Sequence, residues 1–138
     1  MTRPHILPGV REAITNFVVA SRSERMLQLA DSASVKSTLK LRRMLAHFDA
    51  FRPECVHPLN GEDPDTLIRR ICSAKVPATE WDILSEDPAL DGRSMALHEI
   101  AQAAIGSGFA TLAAPRGAKL AFFQGEEQHS AIMLTVKD

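Results

Sequence analysis

Residues 118–124, AKLAFFQ, place Leu120 and Phe122 on one side of an extended chain and Ala121 and Phe123 on the other. A strand apolar on both sides must be covered on both sides, so it belongs inside a sheet rather than at its rim. The chain therefore has to build two covering layers, or borrow one from a second protomer. Two flanking runs extend the sheet. FATLAAP (109–115) and HSAIMLTV (129–136) join the central run through Pro115-Arg116-Gly117 and Gly125-Glu126-Glu127-Gln128, both hairpin-like connectors. TEWDILSE (79–86) reads as a further strand, and its Glu80 and Asp82 share one face in the manner of a half-exposed strand.

The cover is helical. Between 79–86 and 109–115 lies SMALHEIAQAAI (94–105), with Ser94 in position to cap its start and Gly106 to end it. Its inward stripe is Leu97, Ile100, Ala101, Ala104 and Ile105. Upstream, 9–20 carries Val10, Ile14, Phe17 and Val18 at helical spacing, and 21–31 turns Met26, Leu27 and Ala30 inward. The longest helical pattern is 34–51, with Leu41, Met44, Leu45 and Phe48 on its apolar face. After the proline-bracketed loop RPECVHPLNGED, Asp63-Pro64 starts another helix that buries Leu67, Ile68, Ile71 and Cys72. The expected fold is α+β. About four N-terminal helices precede a βαβββ unit with a four-stranded, mostly antiparallel sheet. Residues 1–138 are expected to form one domain, helical over about 1–76 and sheet-forming over about 77–138.

Composition excludes several classes. No apolar stretch approaches the roughly 18 residues of a membrane span, and the N-terminus lacks the apolar core of a secretory signal. Two cysteines, Cys55 and Cys72, are too few for a disulfide framework. A cytoplasmic protein is the simplest expectation. The net charge of −1 conceals a polarity. Residues 1–52 hold nine Lys/Arg against four Asp/Glu, a net +5, and residues 53–138 hold seven against thirteen, a net −6. The first half then either meets an anionic partner or attracts the second half, within one protomer or across a dimer.

That polarity has a focus. On a helix over 34–51, Lys36, Lys40, Arg43 and His47 fall within a sector of roughly 60°. Such a ridge is suited to docking on an acidic surface, or to neutralising phosphates with a strong salt dependence. Nucleic acid is the less favoured partner: the chain has no tyrosine and few aromatics for base stacking. The bland alternative is a solvated helix face.

Signals of chemistry are thinner. Cys55 and His57 share the proline-bracketed loop, with His47 and Asp49 upstream, but paired zinc-ligand spacing is absent. His98-Glu99 lacks the second histidine of a metalloprotease helix, since position 102 is Gln. Ser94 and His98 stand four apart without a nucleophile-elbow motif. Glu86, Asp87 and Asp91 fail the calcium-loop pattern, and Gly106-Ser107-Gly108 follows a helix where a phosphate cradle would precede one. No metal or other cofactor is expected. The leading expectation is a non-catalytic interaction or regulatory protein that works through surfaces, by self-association as a homodimer or with another protein. The alternatives are a small enzyme or ligand-binding protein with a site around His47, Cys55, His57 and His98, and nucleic-acid binding through the Lys36–His47 ridge.

Overall fold

Register across the strands explains which side chains meet. The computed structural model describes residues 6–32, 34–46, 48–58, 69, 80–104, 107–117, 120–126 and 131–136. Its strands are β1 (Val56–Pro58), β2 (Trp81–Ser85), β3 (Ser94–Met95), β4 (Thr111–Pro115), β5 (Leu120–Gln124) and β6 (Ala131–Thr135). They form one sheet in the order β1-β6-β5-β4-β2-β3, with every neighbouring pair antiparallel. One row runs Ile83, Ala113, Phe122, Met133, and the next runs Leu84, Leu112, Phe123, Ile132. Adjacent rows face opposite sides. Each side is therefore largely apolar, with Asp82 buried on the Leu84 side and Ser85, Thr111 and Gln124 on the Ile83 side.

Four α-helices cover these surfaces among the described residues: α1 (Pro8–Phe17), α2 (Ala20–Asp31), α3 (Val35–Met44) and α4 (Leu97–Ala104). The first three pack on the Leu84–Phe123 side, where Val10, Ile14, Phe17, Met26 and Leu41 join the core. The last covers the Ile83–Phe122 side with Ile100, Ala101 and Ala104. β5 is buried along its whole length, as its two apolar faces require. Both of its covers come from its own chain, so the second protomer that this strand allowed for is not needed to shield it.

The α+β class and the antiparallel sheet agree with expectation, but the sheet has six strands rather than four. β1 and β3 span three and two residues, too short for alternation to register in the sequence. The helix expected from Ser94 begins at Leu97, because Ser94 and Met95 pair with β2 instead. α3 stops at Met44, short of the expected 51. Beyond it the backbone pairs with the α1–α2 link, through Val19 N–H to Ala50 O (2.9 Å) and Arg52 N–H to Phe17 O (2.7 Å). These bonds set Phe51 into the core in edge contact with Phe48 and Phe123, with centroids 4.6 and 5.0 Å away. The helix expected after Asp63-Pro64 lies outside the described residues, except for Arg69, which is helical.

Asp82 is the largest departure from the sequence reading. β2 is not half-exposed: all five residues are buried, and Asp82 retains 2% of its accessible surface. Glu80 lies just before the strand and is exposed. Asp82 Oδ2 accepts from the Gly9 amide (2.8 Å) and from Arg116 Nε (2.8 Å), and its Oδ1 accepts from Ser94 Oγ (2.5 Å). Gly9 is in the first turn of α1, where amides have no partner inside the helix. A strand carboxylate thus satisfies one of them and opposes the positive end of the helix dipole. The approach is close: a Cβ on Gly9 would lie 2.4 Å from Ala114 O and 3.0 Å from Asp82 Oδ2. A second tie lies nearby, where Gly117, at φ 75°, donates its amide to Glu12 Oε2 at 2.8 Å.

Burial pushes the Asp82 carboxyl upward, but the hydrogen bonds from Arg116, Ser94 and the Gly9 amide outweigh it and hold the group below its ordinary value. A depressed carboxylate contributes stability above its unfolded value, about 3.9, and loses that contribution as pH falls through the folded value. The Arg116 side chain is 58% exposed, so its ion pair contributes little by itself. Most of the cost of losing Asp82 comes from the stranded Gly9 amide and Ser94 hydroxyl. Asp82→Ala should cost about 3 kcal/mol, and Asp82→Asn, which keeps an acceptor, about 1–2 kcal/mol in urea melts. The gap between wild type and Asp82→Asn should be constant above about pH 5 and narrow below about pH 4. Gly9→Ala should destabilise by about 2 kcal/mol, against the usual gain from alanine in a helix, because the new methyl strikes the β4 backbone.

Candidate functional site

The cationic ridge lies on α3. Ser34 caps this helix by accepting the Ser37 amide at 3.1 Å, and Leu41 holds it to the core. With that face inward, the 3.6-residue repeat turns Lys36, Leu39, Lys40 and Arg43 outward, and all four are exposed. They line a concavity of about 330 Å³. Lys36, Lys40 and Arg43 form no ion pair with a described residue. His47, the expected fourth member of the ridge, lies outside the described residues.

The neighbouring cation behaves differently. Arg42 donates through Nε to Asp91 Oδ2 at 2.7 Å, while Asp91 Oδ1 accepts the Ser85 amide at 2.8 Å. Asp91 is 6% exposed in its side chain. This pair joins the basic first half of the chain to the acidic second half inside one protomer. It answers part of the charge polarity and leaves the other three cations facing out. Two other carboxylates of that loop accept backbone amides, one within the loop and one just before β4. Asp87 Oδ1 accepts from the Ala89 amide (2.9 Å), and Glu86 Oε1 accepts from the Ala110 amide (3.0 Å).

An apolar component adjoins the charges. Three large hydrophobic residues are exposed among the described residues, and two of them, Val35 (76%) and Leu39 (42%), stand four apart on α3. Single exposed hydrophobics are ordinary, but two at i, i+4 beside a row of cations form an amphipathic contact face. Motif searching finds the cations and passes over Leu39, which shows only as an apolar residue on the wrong side of the Leu41–Leu45 stripe.

A second concavity, of about 440 Å³, lies at the β1–β6 end of the sheet on the helical side. Phe48, Phe51, Val56, Pro58 and Ile132 line it, with Asp49 the charged residue among the described lining. The walls follow from two local facts. The bonds that end α3 bring Phe48 and Phe51 down onto Phe123, and the β1–β6 register sets Pro58 opposite Ile132.

The residues weighed for catalysis are dispersed. Cys55 is buried in the core on the α1–α3 side. His57 is on edge strand β1, exposed, with Nε2 2.7 Å from Thr135 Oγ1. His98 is exposed on α4, across the sheet from Cys55. Ser94 is bound to Asp82 and lies outside the helix that carries His98. Cys72 lies outside the described residues. Among the described residues no three His, Cys, Asp or Glu side chains gather as metal ligands, and no helix is long and apolar enough to cross a membrane. No protein-family model, curated protein or solved structure matches this chain.

Proposed function

We propose that this chain is a non-catalytic interaction protein that docks an acidic surface of a protein partner on the outer face of α3. The observation that carries the reading is the pairing of exposed Val35 and Leu39 with Lys36, Lys40 and Arg43 on one helix. Cations that satisfy no described partner attract and orient an acidic surface. An exposed leucine and valine offer apolar area to bury once it arrives. Arg42 is committed to Asp91, which holds α3 against the sheet, so the face is presented on a fixed helix rather than a loose arm.

Nucleic acid would use the same cations through phosphate neutralisation, and Leu39 separates the two readings. A phosphate backbone does not need a leucine, whereas an acidic protein segment with apolar residues does. Titration of a short fluorescent peptide alternating Glu and Leu, beside a single-stranded oligonucleotide of equal charge, tests this directly. The peptide should bind more tightly, and both Lys40→Glu with Arg43→Glu and Leu39→Ser should weaken it, the charge reversal by at least tenfold. Tighter oligonucleotide binding that falls steeply with salt and ignores Leu39→Ser would replace this reading with the nucleic-acid one.

A further inference from the structure

The two patches are opposite in charge, and each has an apolar part. One is a helix face with apolar Val35 and Leu39 flanked by Lys36, Lys40 and Arg43. The other is an apolar groove of Phe48, Phe51, Val56, Pro58 and Ile132 with Asp49 in its lining. Pro53 also lines the groove, and its neighbour Glu54 is exposed. Apolar anchors at i, i+4 entering a hydrophobic groove are a recurrent mode of helix recognition. The cations would then face Asp49 and Glu54 at the rim.

We infer that the occupant of the groove is α3 of a second copy of this chain. This rests on the docking reading of α3 and names its partner. The two patches are separated by only a few residues of chain, since α3 ends at Met44 and the groove begins at Phe48. A two-fold axis between protomers sets each helix into the other's groove at once. That is a self-complementary and closed arrangement. The dimer buries both exposed hydrophobics of α3 and pairs the residual positive face of one protomer with Asp49 in the groove of the other. Because its charges are at the rim, raising salt slows its formation and weakens it.

The experiment is sedimentation velocity on three proteins over a concentration series at low and moderate salt. One is wild type, one carries Lys36→Glu and Lys40→Glu, and one carries Asp49→Lys and Glu54→Lys. All four positions are exposed, so the fold survives, and thermal melts check it. Wild type should dimerise in the micromolar range, and each variant alone should be at least tenfold weaker. An equimolar mixture of the two variants should recover association to within a few-fold of wild type, because every helix then meets a groove of opposite sign. A wild-type monomer at every concentration overturns the dimer. If that monomer still binds the Glu–Leu peptide, docking on α3 stands and only the self-partner falls; if it does not, both fall. A dimer indifferent to both variants, or one that the α3 variant weakens while the groove variant leaves it intact, also overturns the inference.

Discussion

A single buried carboxylate sets the relation between the helical layer and the sheet. Asp82 binds the first turn of α1, the edge strand β3 and the β4–β5 turn, so that four separate segments share one acceptor group. An isolated charge at that depth would be costly. Three donors converge on its two oxygens, which turns the cost into a positional constraint. α1 can enter only where Gly9 clears the Ala114 carbonyl. The placement of α1 carries α2 with it, and α2 carries α3. The direction in which the α3 face looks therefore depends on a contact at the far end of the helical layer.

Much of this architecture was legible from side-chain periodicity. The two faces of β5 demanded two covers, and Val10, Ile14, Phe17 and Leu41 took the buried positions their spacing implies. What escaped has physical reasons. β1 and β3 are too short to alternate, so only pairing defines them. Ser94 looked like a helix cap because serine favours that position, but its hydroxyl found a stronger acceptor in Asp82. Parity with Glu80 alone suggests an exposed Asp82. Leu84 has the same parity, and it marks that side of β2 as inward.

The candidate site was half legible. A charge row on a helix is visible without coordinates, and Lys36, Lys40 and Arg43 are indeed outward together. Which cations are already used is a tertiary fact. Arg42 and Arg43 are neighbours in sequence, yet one is spent on Asp91 and the other is not. The groove beside α3 was invisible for the same reason. Periodicity places Phe48 in the helical stripe, and only the pairing of residues 50–52 with the α1–α2 link sets Phe51 beside it as a wall.

The two ends of the sheet have a consequence of their own. A sheet whose β2, β4 and β5 are wholly buried carries the kind of apolar sequence that stacks into fibrils when its backbone groups are left open. Here the long strands lie inside, and the rims are strands of three and two residues, one ending in Pro58, which has no amide to donate. Among the described residues a neighbouring chain finds little backbone to extend at either rim. Contact made by side chains, unlike strand addition, can close at a defined number of copies.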